Sequence, residues 1–299
     1  MEINKKINKG DLFVVATPIG NMEDITLRAL KILEKVDIIA AEDTRHTGKL
    51  LNHYNIKKKL VSYHEHNETL RSTYLLERLN NGESIAIVTD AGTPSVSDPG
   101  YRLIKKAIES GINIIPIPGV SAVTTAISAA GLPTDSFIFA GFLSRKKAKR
   151  IRQLKALGME HSTIILYESP RRIINLMEDI TGVMGNRYGV LAREMTKIHE
   201  EFIRGTMSEI SYTLKERPSI KGECTLLVTG FLPTVQKKTH IDESVRDEIK
   251  QKLYECIKAS PLFKKDKNKH YNIINESKEI KFRNNNLQID VNEFVNSLF

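Results

Sequence analysis

The pattern of apolar and polar positions alternates along the chain between strand-like and helix-like segments. Short β-branched or aliphatic runs predict five buried strands, at 12–16, 36–41, 60–63, 84–89 and 113–117. Segments with apolar residues at helical spacing separate these strands, as at Leu27, Leu30 and Leu33. Strand and helix in repetition indicate parallel pairing through right-handed crossovers, with helices on both faces of a sheet.

A second series of predicted strands follows, at 136–140, 163–167, 188–192 and 225–230, and the region before Thr225 is partly hairpin-like. We therefore predict an α/β fold with two α/β domains and mostly parallel sheets, spanning 1–118 and 119–233. Beyond Thr234 the composition changes to lysine-rich and asparagine-rich segments, after one amphipathic helix marked by Val245, Ile249, Leu253 and Ile257. Residues 234–299 are predicted to be a helical, basic tail.

Charge adds a possible partner to this picture. The chain has 45 Lys and Arg against 36 Asp and Glu, a net charge of +9, which favours a polyanionic partner but also fits a compositional bias towards lysine. A basic run opens a predicted helix after residue 144, and its members are Arg145, Lys146, Lys147, Lys149, Arg150, Arg152 and Lys155. This run is either a solvated helix face or a surface that binds phosphates.

Cysteine usage and hydropathy indicate a cytoplasmic protein without a membrane partner. Cys224 and Cys256 lie far apart and have neither disulfide-framework nor zinc-site spacing. Residues 1–10 are polar and lack the apolar core of a secretory signal. The most apolar stretch, at 112–132, is interrupted by proline and glycine and therefore does not read as a membrane span.

Candidate chemistry is concentrated where predicted strands end. Seven unusual turns occur there: TPIGN at 17–21, EDTRH at 42–46, DAGTP at 90–94, SDPG at 97–100, PGVSA at 118–122, YESPR at 167–171 and AREMTK at 192–197. Each one alone is ordinary turn chemistry. Together they favour a shared cleft, because α/β sheets bind ligands outside the carboxyl ends of their strands. The glycines of these turns, such as Gly20 and Gly92, can let the backbone approach a ligand closely.

The same turns lack the sequence motifs of two common classes of ligand-binding site. The chain has no G-x-x-x-x-G-K-[ST] segment and no G-x-G-x-x-G after its first strand, so nucleoside triphosphates and dinucleotides are not favoured. The hydroxyls of Thr93 and Ser121 could instead contact a polar head group. His64 and His66 would share one side of a strand, but no further ligands accompany them, and we predict no metal site.

Taken in order, these turns resemble the tetrapyrrole methylase superfamily, and within it the branch that acts on ribosomal RNA. The resemblance also includes DIT at 24–26, SAAGLP at 128–133 and KGE at 221–223, and it covers residues 11–231. It implies S-adenosylmethionine bound in a cleft between two α/β domains, a homodimer, and methylation of a ribose 2′-hydroxyl of a cytidine in small-subunit (16S) ribosomal RNA, with the RNA or the 30S subunit as partner.

The resemblance also implies which residues bind the cofactor. Carried over position by position, they are Pro18, Ile19, Gly20, Asp90, Gly92, Thr93, Val96, Ser121, Ala122, Tyr167, Ala192 and Gly222. Ala16 and Val120 stand where the family has proline, so these two turns are expected to have a less rigid backbone.

The chemistry of methyl transfer suggests candidates for catalysis but does not select one. A sulfonium methyl group is already activated, so the protein must mainly align the acceptor oxygen in a dry cleft, without a metal. A ribose hydroxyl is a poor acid, so a base could help. Glu42, Asp43 and Glu194 are candidate bases, and Arg45 and Lys197 are candidate cations. Ion pairing between neighbouring loops explains all five equally well.

Two other functions fit the same sequence. One is methylation of a tetrapyrrole or of a protein by the same fold, and the other is a non-catalytic module that senses a ligand. The basic run, the pair Arg171 and Arg172, and the loop at 42–46 favour RNA over a tetrapyrrole. Polar residues at every strand end disfavour an inactive module.

Overall fold

The computed structural model describes residues 9–231 and Gln251. The first sheet has five strands: β1 (Leu12–Val15), β2 (Ile38–Ala41), β3 (Lys59–Ser62), β4 (Ile85–Val88) and β5 (Ile114–Ile117). Their order is β3-β2-β4-β1-β5, and every pair is parallel. The carboxyl ends of all five strands therefore lie at one edge of the sheet, and the turns that follow them meet there.

Four helices cover this sheet: α1 (Leu27–Lys35), α2 (Thr44–His53), α3 (Glu68–Asn80) and α4 (Tyr101–Glu109). α1 and α2 pack on one face against a core that includes Ile39, whereas α3 and α4 pack on the other face against a core that includes Ile38. β2 and β4 are buried along their whole length because both of their faces are covered. The continuous apolar runs that predicted these strands reflect this burial.

The second sheet also has five strands: β6 (Phe137–Phe142), β7 (Thr163–Glu168), β8 (Tyr188–Arg193), β9 (Glu201–Thr206) and β10 (Cys224–Val228). Their order is β6-β7-β10-β8-β9. β6 and β7 are parallel, but the other three pairs are antiparallel. The predicted α/β fold is confirmed, and five of the eight strand pairs in the two sheets together are parallel, because the first sheet is wholly parallel.

Helices also cover both faces of the second sheet. α5 (Ala122–Ala130) packs on one face, against a core that includes Ile165 and Val190. α6 (Lys147–Leu157), α7 (Ile173–Met184) and α8 (Met207–Lys215) pack on the other. β9, which we did not predict as a separate strand, forms an antiparallel hairpin with β8 at the edge of the sheet.

Both sheets belong to one compact unit. The domain boundary between residues 118 and 119 stays a prediction. The predicted tail at 234–299 lies outside the described residues, apart from Gln251. Within residues 9–231, no helix is long and apolar enough to cross a membrane.

Candidate active site

Two adjoining pockets, which share Ile19 and Ala91, lie where the strands of the first sheet end. Ten of the twelve predicted cofactor residues line them. Pro18, Ile19, Gly20 and Asp90 line the larger pocket. Ile19 also lines the smaller pocket, together with Gly92, Thr93, Val96, Ser121, Ala122 and Tyr167. The strand-end turns thus come together in one cleft.

The turns after β1 and β4 are tied to each other by backbone hydrogen bonds. The Thr17 amide donates to the Gly92 carbonyl at 2.9 Å, and the Gly92 amide donates to the Thr17 carbonyl at 3.0 Å. Gly92 has φ +86°, a conformation that side chains disfavour, and a Cβ there would lie 3.5 Å from Ile19 Cγ2. A glycine at this position keeps the wall of the smaller pocket open.

α5 begins at the smaller pocket, whose lining includes Ser121 and Ala122. Ser121 is the residue that caps α5, but its side chain makes no capping hydrogen bond. The Thr93 hydroxyl donates to the Val120 carbonyl at 3.1 Å, which connects the turn after β4 to this helix start. Free amides at a helix N-terminus favour an anionic group.

Gly20 contacts protein atoms at the position where a Cβ would lie, although we expected that space to be needed by a ligand. A Cβ on Gly20 would lie 2.5 Å from Lys197 Cγ and 2.7 Å from Thr196 Oγ1. The amide of Asn21 donates to Thr196 Oγ1 at 3.0 Å. The loop after β8 therefore packs directly on the turn after β1, and it is this loop that requires the glycine.

Ala192 and Gly222 do not line either pocket. Ala192 is fully buried in the core of the second sheet, in the same cross-strand row as Tyr167 but separated from it by Thr225 of β10. Gly222 has φ +89°, and a Cβ there would collide with the Glu194 carboxyl group. Both residues support the site by packing, because a larger side chain at either place would displace its neighbours.

Three carboxylates surround the end of β4. Glu42 Oε2 accepts hydrogen bonds from Thr89 Oγ1 at 2.7 Å and from the Asp90 amide at 3.4 Å. Asp90 Oδ1 in turn accepts from the Asp43 amide at 3.0 Å. Burial raises the pKa of Asp90, and the neighbouring Glu42 adds to this effect against the Asp43 hydrogen bond.

Asp98 is the third member of this cluster, and it lines the smaller pocket. Burial, together with the negative charges of Glu42 and Asp90, raises the pKa of Asp98 to about 6 against a hydrogen bond from Thr89. We did not predict Asp98 as a site residue, although it belongs to the SDPG turn. The sequence did contain a signal for this residue: Asp98 is acidic, and its turn directly follows the turn at the end of β4.

Two of the predicted catalytic residues, Asp43 and Arg45, are paired with each other. Asp43 Oδ1 accepts from the Arg45 amide at 2.8 Å and caps α2, while Asp43 Oδ2 accepts from the Arg45 guanidinium at 2.6 Å. This pairing holds the pKa of Asp43 well below its usual range. The Arg45 side chain is 87% exposed. Capping and ion pairing therefore account for both side chains.

Glu194 and Lys197 form an ion triad with Glu223. Lys197 Nζ lies 2.9 Å from Glu194 Oε1 and 3.0 Å from Glu223 Oε2. Burial alone would raise the pKa of Glu194, but the Glu223 amide and the Lys197 ammonium outweigh it and lower that pKa. Burial alone would lower the pKa of Lys197, but its two carboxylate partners raise it. Lys197 thus faces the larger pocket as a cation.

Six of the seven residues of the basic run are exposed, namely Arg145, Lys146, Lys147, Lys149, Arg152 and Lys155. Arg150 is buried, with its guanidinium 2.6 Å from Asp179 Oδ2, so it belongs neither to a solvated helix face nor to a surface that binds phosphates. It points inwards because it lies on the face of α6 that also buries Leu154, four residues later.

A family model for tetrapyrrole (corrin/porphyrin) methylases matches residues 11–211. The chain therefore belongs to the tetrapyrrole methylase family, which confirms the resemblance found in its turns. Among solved structures it is similar to uroporphyrin-III C-methyltransferase from Thermus thermophilus complexed with S-adenosyl homocysteine. The TM-score is 0.53 and the identity 15%, over 73% of this chain and 97% of that chain. This similarity shows the fold.

Similar proteins of known name place the chain more closely within this family. The chain is 51% identical to ribosomal RNA small subunit methyltransferase I of Halalkalibacterium halodurans, over 75% of this chain and 77% of that protein. It is 49% identical to the protein of the same name from Thermotoga maritima, over 74% of this chain and 99% of that protein. Within the tetrapyrrole methylase family, the chain thus groups with the ribosomal RNA small subunit methyltransferase I proteins.

Proposed function

We propose that this chain transfers a methyl group from S-adenosylmethionine to small-subunit (16S) ribosomal RNA, and that the acceptor is the ribose 2′-hydroxyl of a cytidine. The observation that carries the proposal is the cleft itself, in which glycine turns, the start of α5 and carboxylates meet. The names of relatives that share about half of its residues support the same substrate.

The smaller pocket suits the chemistry of this cofactor. Its apolar wall, which includes Ile19 and Val96, would hold the adenine, and the amides at the start of α5 would bind the amino-acid carboxylate. Asp90, in the larger pocket, would accept hydrogen bonds from hydroxyl or ammonium groups. Bound S-adenosylmethionine supplies a methyl group that its positive sulfur has already activated.

Transfer of label from S-adenosylmethionine tests the proposal. Wild-type protein with tritiated cofactor should label small subunits that lack the modification, and nuclease digestion should recover the label on a 2′-O-methylated cytidine. Subunits that already carry the modification are the control and should accept little label. Label recovered on ribosomal protein, or absent altogether, would contradict the proposal.

Asp98 suits removal of the proton from the acceptor hydroxyl. It lines the pocket beside Tyr167, and its raised pKa brings its proton affinity close to that needed at neutral pH. Asp43 is bound to Arg45, and Glu194 to Lys197, so both are held as anions by a cation. Lys197 would contribute positive charge at the larger pocket, and Glu42 would hold Thr89 in place.

An Asp98→Asn variant should become more stable and less active at neutral pH. Between pH 3.8, the usual pKa of aspartate, and pH about 6, the folded protein retains the Asp98 proton, whereas the unfolded chain loses it. The contribution of Asp98 to the free energy of unfolding is therefore complete below pH 3.8 and is lost as pH rises through about 6. The variant avoids that loss. Its unfolding free energy relative to wild type should rise by about 1 kcal/mol from acidic to neutral pH, after allowance for solvent screening.

Urea unfolding at several pH values and the labelling assay measure these two changes. Methyl transfer by Asp98→Asn should fall at least tenfold, roughly the lower part of what a general base contributes. Asp11→Asn, a change of the same kind at a partly exposed position outside both pockets, is the control. Transfer at the wild-type rate by Asp98→Asn would remove this carboxylate from the mechanism.

The exposed basic residues Arg145, Lys146 and Lys149 would contact RNA phosphates. Replacing all three by glutamine should weaken RNA binding, and each phosphate contact removed should reduce the slope of log affinity against log salt by ~0.7–0.9. Cofactor affinity should not change, because none of the three lines a pocket. RNA affinity measured across a salt series checks this.

A matched triple variant controls for the change in net charge. Arg28, Lys31 and Lys35 are exposed on α1, and neutralising them removes the same charge from another surface. Its salt slope should remain close to that of wild type. Equal slopes in the two triple variants would assign the basic run to a solvated helix face.

The proposal also includes a homodimer and a cytoplasmic location, as the sequence suggested.

A further inference from the structure

Phe142, the last residue of β6, is an exposed aromatic side chain at the edge of the candidate site. The residue is 56% exposed, although Gly141 directly before it in the strand is buried. Its ring centre lies 5.5 Å from that of Tyr167, in an edge-to-face arrangement. Tyr167 lines the smaller pocket, so Phe142 extends an aromatic surface from the pocket towards solvent.

An irregularity in β6 turns Phe142 towards this side of the sheet. Phe139 pairs with Ile165, whereas Gly141 pairs with Leu166, so the register shifts by one residue between them. Without that shift, Phe139 and Phe142 would point to opposite faces, because side chains alternate along a strand. With it, both rings pack against Tyr167, at 4.8 Å and 5.5 Å between ring centres.

The backbone at this bulge is held against the candidate site. Gly141 has φ +61°, and a Cβ there would lie 2.9 Å from Ser97 Oγ. Ser97 itself has φ +66° and directly precedes Asp98 in the turn that lines the pocket. The two loops thus fix each other, and the bulge re-aims one side chain next to the pocket instead of merely ending the strand.

Positive charge follows Phe142 along the chain. The segment after β6 carries Arg145, Lys146 and Lys149, all exposed. Its backbone is anchored from inside, because the buried Arg150 guanidinium donates to the carbonyls of Ser144 at 3.4 Å and Arg145 at 3.3 Å. An exposed ring followed along the chain by exposed cations is a combination that suits an unpaired nucleotide, because the ring can stack on the base and the cations can bind phosphates.

We propose that the Phe142 ring stacks on the base of the target nucleotide and thereby holds its ribose at the mouth of the cofactor pocket. This inference rests on the proposed function, since it needs an RNA acceptor. A nucleotide that leaves its stack in folded RNA can bring its ribose into a protein cleft, at the cost of its base stacking. Stacking on Phe142 replaces the base stacking that the nucleotide gives up in the RNA, and Phe142 acts as a positioning residue for the acceptor.

Substitutions at Phe142 test the role of its ring. Phe142→Ala and Phe142→Leu should lower kcat/KM for methyl transfer to unmodified small subunits about tenfold or more, the loss expected when one stacked base loses its aromatic partner. Phe142→Tyr should retain most of the activity, because it keeps the ring. Calorimetric affinity for S-adenosylmethionine should stay within about twofold of wild type in all three variants.

Phe137 provides a matched control, since it is a 41% exposed phenylalanine at the opposite end of β6. Phe137→Ala should transfer methyl groups like wild type. Wild-type kcat/KM in Phe142→Ala would overturn the inference. So would a loss shared equally by Phe137→Ala, or one explained by weaker cofactor binding.

Photocrosslinking gives a readout that a merely structural role would not change. Small-subunit RNA containing 5-iodocytidine, irradiated on the wild-type protein, should crosslink to a peptide that contains Phe142, and Phe142→Leu should lose that crosslink. Crosslinks confined to other peptides would contradict stacking at Phe142. A wild-type protein that methylates no RNA would instead defeat the proposed function, whereas an active wild type with an indifferent Phe142 defeats this inference alone.

Discussion

A Gly92→Val variant is expected to lose affinity for S-adenosylmethionine by roughly a hundredfold, about 2.7 kcal/mol, while remaining folded. The backbone of Gly92 lines the smaller pocket, and its Cβ position lies 3.5 Å from Ile19 Cγ2 and 3.8 Å from the Val120 carbonyl. The two methyl groups of valine would extend from there into the space that the cofactor needs. Calorimetric titration measures the affinity, and thermal unfolding checks the fold.

Gly131→Val separates the steric effect from the backbone effect. Gly131 also has positive φ, +74°, but no atom lies within 4 Å of its Cβ position, at the end of α5. Both valines cost about 1–2 kcal/mol of stability by entering the left-handed region. Only Gly92→Val should lose cofactor binding. Affinity like that of wild type in a folded Gly92→Val protein would refute the placement of the cofactor in this pocket.

Asp179→Ala is expected to lower the free energy of unfolding by about 3–5 kcal/mol. Asp179 pairs with Arg150 at 2.6 Å, and the two side chains are only 8% and 9% exposed. Removal of the carboxylate leaves a buried guanidinium whose remaining partners are the backbone carbonyls of Ser144 and Arg145. Because these hydrogen bonds hold the segment after β6, RNA binding should weaken as well. Urea unfolding measures the first effect.

Glu178 offers a matched comparison one residue away on α7. It pairs with Lys215 at 2.7 Å, but both side chains are 52% exposed, so Glu178→Ala should cost less than about 1 kcal/mol. A double variant, Arg150→Met with Asp179→Leu, should recover most of the stability by removing both charges. Similar losses for Asp179→Ala and Glu178→Ala would show that the buried pair contributes no more than a surface pair.

Much of the first half of the fold could be predicted because its information is local. Strands buried on both faces, such as β2 and β4, appear in the sequence as short continuous apolar runs. The turns after them contain glycine, proline and small polar residues, whose backbone preferences are also local. Since parallel strands end at the same edge, the order of the turns was enough to predict a shared cleft.

The second sheet was less predictable, because the residues of each strand do not specify its direction or which strands lie next to it. β10 lies between β7 and β8 and is antiparallel to both, although it is the last strand along residues 9–231. An apolar run such as Cys224–Val228 predicts a strand but not its direction or its neighbours. The hairpin of β8 and β9 was only partly visible because β9 lies at an edge and is less deeply buried.

The sequence by itself determined the α/β class, the positions of most strands, the turns that form the cleft and, through resemblance, the family. Tertiary structure decided which of the charged residues face solvent. Arg150 belongs to a basic run but is buried against Asp179, and Asp98 has a pKa near 6 because of burial beside other carboxylates. The orientation of Phe142 depends on a register shift against β7. Burial, pairing and register arise from contacts between distant segments, so no local pattern encodes them.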